Sequence, residues 1–290
     1  MDRDPQPGKV CCIVIPVYRP LNDAETGLMR HNLDTLDGFP AVLVGAAQQG
    51  ALLEATRNAL SADRPGQITV QTFADRFFQS VAGYNDLMLD AGFFERFEDF
   101  DHILICQQDA IVLRPGLAEW LGKGYAFVGA PMFQGYHAPK RPLTYLSTLN
   151  GGLSLRHIPS ALSVLRRATF VGRRRWVRAA EKLGLFRIAN ALMRLIGERR
   201  LVVHEKGLHE DVLWTRDVPA VFPRFHVPPP ETAAHFAFET CPRELYRRIG
   251  KKLPFGCHAF ERYDPGFWVD HAPPEVVPYV KALVAGPHDA

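Results

Sequence analysis

Cysteine, long apolar runs and excess charge are all scarce in this 290-residue chain. There are five cysteines: Cys11, Cys12, Cys106, Cys241 and Cys257. The number is odd and no Cys-x-x-Cys pair exists, which argues against a zinc knuckle or a disulfide scaffold and fits a reducing compartment. No apolar run approaches the ~20 residues needed to span a bilayer. The opening MDRDPQPGKV is polar and carries no secretory signal, so the expected location is cytoplasmic. The net charge is +3 with 22% charged residues, too mild to imply nucleic acid by itself. Internal repeats, low-complexity tracts and clear linkers are absent as well. What is plentiful is apolar content, 47%, enough for a full core in a chain of this length.

The apolar residues come in short runs. VCCIVIPV (10–17), PAVLVGA (40–46) and ILIC (103–106) have the length and β-branched content of strands buried on both faces. QITVQTF (67–73) alternates as a further strand. Helices are expected over about 22–36, 50–61 and 79–92, the last on the spacing of Val81, Tyr84, Leu87, Met88 and Ala91. Strands alternating with helices predict an α/β fold with a mainly parallel central sheet. The second half is less regular: strands near 125–130 and 149–155, helix over 160–200, a helix start at 208–216, and a short strand within 253–260.

In open α/β sheets ligands bind beyond the carboxyl ends of the strands. The first such end carries Pro16, Tyr18 and Arg19, where a tyrosine can cover a base or ribose and a plain turn is the alternative. The fourth carries Gln107, Gln108 and Asp109. An acid at the end of a buried strand must be solvated, paired or bound to a cation, because an isolated buried carboxylate is costly. A turn cap is the alternative use. Asn150-Gly151-Gly152 lets backbone approach a ligand and is equally a hairpin signal. Glu210-Asp211 are helical neighbours about 100° apart, so one of the two faces any given pocket.

These segments taken in order resemble GT-A glycosyltransferases. VIPVYRP, the helix bearing Gly83-Tyr84-Asn85, and FDHILICQQDAIVL are similar to that family's N-terminal half, whose strand ends in Asp-x-Asp. Here Asp109 occupies the last position and Gln107 the first. NGGLSLR, HEDVLW and PFGCHAF resemble its later elements. The set QQDAIVL, NGGLSLR, HEDVLW and PFGCHAF closely resembles a bacterial, glycosyltransferase-like family known as domain of unknown function 5672. The resemblance implies one GT-A-like domain over 1–290. Residues 8–130 would be its nucleotide-binding half and 131–270 its acceptor half. It implies transfer of a sugar from a nucleoside-diphosphate sugar, by default a UDP-hexose, to a glycan or lipid-linked hydroxyl, with inversion, in surface-polysaccharide synthesis.

The roles follow from the same resemblance. Pro16, Tyr18, Arg19, Asn85, Gln107, Gln108, Asp109, Gly151, Gly152 and Arg156 would hold the donor. Asp109 and His258 would hold Mn²⁺ or Mg²⁺, with Gln107 unable to add a charge where the family pattern has an acid. Asp211 would be the base, with Glu210 its runner-up or hydrogen-bonding neighbour.

One segment stands apart. Residues 166–200 hold eleven Lys or Arg against Glu181 and Glu198, a net +9 that leaves −6 for the rest of the chain. Its arginines are interleaved with Trp176 and aliphatic residues. Such a segment can rest on an anionic membrane surface, or pack on the core with its arginines in water. Nucleic acid is not an expected partner, because no recognisable module accompanies the charge.

Rival readings remain. A nucleotidyltransferase of similar fold would want a glycine- and base-rich loop after the first strand, where only Arg19 stands before Gly27. A non-catalytic sugar-nucleotide or glycan-binding module would need only the single acid of QQD. A zinc hydrolase built on His204, His209, Glu210 and Asp211 is disfavoured, because its histidines are five apart rather than four.

Overall fold

The computed structural model describes residues 10–61, 67–196, 199–205, 207 and 209–285. The polar opening over 1–9, Glu198 of the basic segment and Leu208 of the expected 208–216 helix lie outside them.

Among the described residues the strands are β1 (Cys11–Pro16), β2 (Ala41–Ala46), β3 (Ile68–Phe73), β4 (His102–Cys106), β5 (Ala110–Val112), β6 (Phe127–Val128), β7 (Pro131–Phe133), β8 (Tyr145–Leu149), β9 (Leu153–His157), β10 (Ala168–Gly172), β11 (Arg200–His204), β12 (Ala237–Phe238) and β13 (Gly256–His258). Six form the central sheet in the order β3-β2-β1-β4-β9-β6. The first four are mutually parallel, and β9 runs against both β4 and β6. The protein is therefore an α/β molecule with a mainly parallel mixed sheet, as its alternating strands and helices predict.

Every residue of β1, β2 and β4 is buried. Side chains alternate across the sheet. Cys12, Val14, Ile103 and Ile105 enter one core, and Cys11, Ile13, Ile15, Leu104 and Cys106 enter the other. That is why these strands read as unbroken apolar runs. Helix α1 (Asp23–Thr35) opens with a reciprocal cap: Asn22 Oδ1 accepts from Glu25 N, and Glu25 accepts from Asn22 N. Helix α2 (Gly50–Leu60) carries the chain to β3.

The structure corrects three expected helices. The 79–92 stretch divides into α3 (Val81–Leu87) and α4 (Ala91–Glu95). The Asp90 carboxylate caps the second helix by accepting from Gly92 N at 2.6 Å, and the Met88 carbonyl accepts from the Trp214 indole at 3.1 Å. The 160–200 stretch is not one helical region. After α5 (Leu117–Leu121), helix α6 (Ile158–Leu165) ends before strand β10, where Thr169, Phe170 and Val171 favour extended backbone. Helices α7 (Arg175–Lys182) and α8 (Leu185–Ile196) follow and lead to β11, which pairs with β10 in a separate two-stranded parallel sheet. The 208–216 stretch holds one short helical turn, Glu210–Val212, that widens into a π-turn over Leu213–Asp217.

A third core gathers Phe238, Phe260, Phe267 and Trp268 beneath the C-terminal helices Pro265–His271 and Val277–Ala285. Among the described residues no helix is long and apolar enough to cross a membrane.

Candidate functional site

Chain direction brings the chemistry to one edge. Parallel β1 and β4 both end there, delivering Pro16 and Tyr18 from one and Gln107 and Asp109 from the other. Antiparallel β9 begins at that edge, so the Gly151-Gly152 turn before it joins them. Gln107 N donates to the Gly152 carbonyl at 3.0 Å and locks the turn onto the end of β4. Strand β13 pairs antiparallel with β5 and sets His258 opposite Ala110, one residue from Asp109. Ala259 N then donates to the Asp109 carbonyl at 3.1 Å.

Together these residues line a cavity of about 800 Å³, of the size that admits a drug-sized or nucleotide-sized ligand. Pro16, Tyr18, Asn85, Gln107, Asp109, Gly151, Gly152, Glu210, Asp211 and His258 all lie in its wall. Arg19, Gln108 and Arg156 do not. Arg19 is turned to Glu25 in an ion pair of 2.5 Å. Gln108 is buried, and its amide has no hydrogen-bond partner among the described residues. Arg156 is buried and grips both Glu210 oxygens, at 2.7 and 3.0 Å, far from the role of a free phosphate ligand.

The floor is a His258 ring held among acceptors. Its Nε2 lies 3.2 Å from Asp109 Oδ1 and 3.1 Å from Gln107 Oε1. Glu239 Oε1 stands behind the ring, 3.6 Å from Nδ1, an ionic contact too long for a hydrogen bond. Burial works against a charge on His258, but Asp109 and then Glu239 outweigh it and raise its pKa to about 10. Partial burial works against the Asp109 charge, yet the imidazolium beside it brings its carboxyl below the usual value.

The opposite wall carries Asp211. Asn85 positions the segment by accepting from Glu210 N at 3.3 Å. The Thr215 hydroxyl donates to the Asp211 carbonyl at 2.6 Å and accepts from Leu149 N. The Asp211 carboxylate accepts from Val212 N at 2.7 Å and from Gly151 N at 3.1 Å. Burial, followed by the nearby Glu210 and Glu239 charges, raises its pKa to about 8. The two adjacent acids therefore differ in use: Glu210 is committed to Arg156, and Asp211 holds a proton at the cavity wall far more readily than an ordinary carboxylate does.

The glycine pair joins the two walls. Gly151 binds Asp211 through its amide. Gly152 lies so close to His258 that a Cβ there would fall within 2.5 Å of three ring atoms. Asn150 braces both, accepting from Gly152 N at 2.7 Å and donating to Glu239 at 3.1 Å. The Tyr84 hydroxyl, also in the cavity wall, lies buried beside Gln107.

Among the described residues there is no cluster of three or more protein metal donors. Asp109 and His258 nonetheless fit a two-donor site once an incoming cation displaces the His258 Nε2 proton. Their 3.2 Å separation matches neighbouring ligands of one small divalent ion, about 3.0 Å for ligand bonds of about 2.1 Å. The remaining positions would fall to substrate oxygens or water.

Sequence reasoning missed Glu239 and the mouth of the cavity. Glu239 follows β12, an acid after the apolar run Phe236-Ala237-Phe238, the same signal that singled out Asp109. At the mouth His137 hydrogen-bonds Tyr263 and stacks on it with planes 3° apart, while His209 meets His137 edge-on. These come from three distant segments: His209 stands in the HEDVLW motif, and nothing local in the sequence marks His137 or Tyr263.

The model of the family described as "Protein of unknown function (DUF5672)" matches residues 67–258, well over half of the chain. The chain belongs to that family. No curated protein matches it. Among solved structures it is similar to the galactosyltransferase LgtC in complex with donor and acceptor sugar analogues, at 15% identity and TM-score 0.48, over 96% of this chain and 98% of that one. It is also similar to the bifunctional glycosyltransferase WbbM, at 9% identity and TM-score 0.47, over 98% of this chain and 51% of that one. A glycosyltransferase involved in glycosylation of the major capsid of PBCV-1 matches at 8% identity and TM-score 0.40, over 94% and 98%.

Proposed function

We propose that this member of the family is a glycosyltransferase that moves a sugar from a nucleoside-diphosphate sugar to an acceptor hydroxyl with inversion. One observation carries the reading. Asp109 with His258, and Asp211, reach a single cavity at the carboxyl end of a parallel sheet, separated by a glycine turn that touches both.

In this reading Tyr18 covers the nucleoside, and Asn85, Gln107 and Tyr84 offer polar groups to ribose or sugar hydroxyls. Asp109 and a deprotonated His258 would hold Mn²⁺ or Mg²⁺, which when bound would neutralise charge on the leaving diphosphate. Asp211 takes the proton from the acceptor hydroxyl as that oxygen bonds to the anomeric carbon. The bond from that carbon to the diphosphate oxygen breaks, and the nucleoside diphosphate leaves. Asp211 suits a base because its raised pKa makes it a better proton acceptor than an ordinary carboxylate. The donor is a UDP-hexose, and the acceptor a glycan or a lipid-linked glycan of a surface polysaccharide.

The test is a thermal-shift panel of UDP, GDP and CDP, free and as sugars, with Mn²⁺, Mg²⁺ or EDTA. Ligand at about 100 times its dissociation constant stabilises by about 2.7 kcal/mol. The expected result is a shift with one nucleotide that disappears in EDTA and in Asp109→Ala. Asp211→Asn should keep that shift and lose donor turnover by about a hundredfold or more. No shift with any nucleotide would refute the donor site. A shift without turnover by the unaltered protein, across glycan and lipid-linked acceptors, would favour the binding module.

A further inference from the structure

We propose that the α7–α8 unit is a docking surface for an anionic lipid bilayer. Eight large apolar side chains of the described chain are exposed, and five of them lie within this one unit: Trp176, Leu183, Leu185, Ile188 and Leu192, each 50–72% exposed. Of the other three, Tyr18 and Val81 line the cavity and so have a use.

The exposure follows from how the unit is pinned. Val177 of α7 and Val202 of β11 are fully buried. Asn190 of α8 holds both backbone groups of Leu201, donating to its carbonyl and accepting from its amide at 3.0 and 2.8 Å. Those contacts fix which side of each helix faces the protein. Trp176 and Leu183 are seven residues apart and share one side of their helical path. Leu185, Ile188 and Leu192 follow at spacings of three and four, a second stripe. A surface helix normally spends its outward positions on polar residues. Here those positions hold leucine, isoleucine and tryptophan.

Charge selects the occupant. Arg174, Arg175, Lys182 and Arg187 are exposed and make no ion pair among the described residues. Arg173 and Arg178, by contrast, are committed to Glu181 and Glu205. An apolar stripe edged by unpaired cations complements an anionic headgroup layer over an acyl boundary. Tryptophan suits that boundary, having an apolar body and a polar N–H. The remaining chain carries −6 against the segment's +9, so approach to a negative surface turns this face forward.

The experiment is flotation of the full chain with vesicles of phosphatidylcholine alone or mixed with phosphatidylglycerol, at low and high salt. Two variants accompany it: Leu185→Ser/Ile188→Ser/Leu192→Ser, and Arg174→Gln/Arg175→Gln/Arg187→Gln. All six positions are exposed, and unchanged thermal midpoints would verify that the variants fold. The expected result is partition onto the anionic vesicles at low salt, reduced about tenfold or more by each triple substitution. Absence of partition by the unaltered chain overturns the proposal, as does partition indifferent to the apolar substitutions. A dimer in light scattering that the apolar substitutions split into monomers would assign the face to a second copy of the chain instead.

Discussion

Replacing Gly152 by alanine tests the linkage between the glycine turn and the His258 floor. The new methyl carbon would stand within 2.5 Å of Nε2, Cδ2 and Cε1 of the ring, where ordinary contact begins at 3.4 Å. The ring must therefore retreat by roughly 1 Å. It cannot do so freely, because Glu239 lies behind it and Asp109 and Gln107 hold its Nε2. Overpacking of this kind costs about 1–3 kcal/mol, and the half-exposed Asp109 keeps the pair's share of that loss small. Function should suffer more than stability. A displacement of about 1 Å in a positioning group costs about a hundredfold in rate, and separating Asp109 from His258 removes one of the two donors offered to the ion. The assay is calorimetric titration of Mn²⁺ with the nucleoside diphosphate that stabilises the protein, alongside thermal unfolding. Gly152→Ala should weaken metal-dependent nucleotide binding about tenfold or more, equal to about 1.4 kcal/mol, and lower the midpoint by a few degrees. Binding within about threefold of the unaltered protein would refute the claim that ring and turn form one device.

Two further outcomes are expected. Breaking the buried Arg156–Glu210 pair from one side, by Arg156→Met, should cost about 3–5 kcal/mol in denaturant unfolding, and Arg156→Met/Glu210→Met should recover most of it; a double variant no better than the single one would show that the pair is not what the lost stability measures. For Asp211 the sign follows from its raised folded pKa. The folded chain holds that proton more tightly than the unfolded one, so the stability it confers is complete below about pH 4 and lost as pH rises through about 8. The midpoint of Asp211→Asn minus that of the unaltered protein should accordingly climb between pH 5 and pH 9, and a flat or falling difference would contradict the raised pKa.

The first half of the chain was legible because its signals are local. An apolar run such as Cys11–Pro16 can only be a strand buried on both faces, and parallel order follows from the helices between such runs. Cavity residues at strand ends, such as Tyr18, Gln107 and Asp109, were legible for the same reason: an acid that terminates a buried run has to face something. The second half depends on distant pairings. Ala168–Gly172 becomes a strand only because Arg200–His204 lies beside it, so in sequence alone its residues read as helix. Arg156 shows the limit most clearly. It follows the glycine turn in sequence, yet β9 carries it inward, where it meets Glu210 rather than a phosphate. Sequence spacing conveys that an arginine is near a site, and only the strand's alternation decides which side of the wall it occupies.

The burial of Arg156 also explains why the two adjacent acids differ in use. Glu210 and Asp211 begin as near equivalents on a single helical turn. Arg156 binds Glu210 through two hydrogen bonds and commits that carboxylate to itself. Burial, followed by the nearby Glu210 and Glu239, raises Asp211. The arginine lies directly behind the cavity wall, against Glu210 and Gly151, and its own positive charge works against the rise that burial and the two neighbouring acids impose on Asp211. Gln107 plays the complementary part at the floor. A second acid there would add another negative charge to a site that already holds Asp109 and Glu239 around one histidine. A neutral amide, accepting from His258 at 3.1 Å, keeps the ring in place without adding to that charge. The departure from two acids is therefore consistent with a floor whose anionic complement is drawn from Glu239, a residue far along the chain that β12 and β13 bring to the same ring.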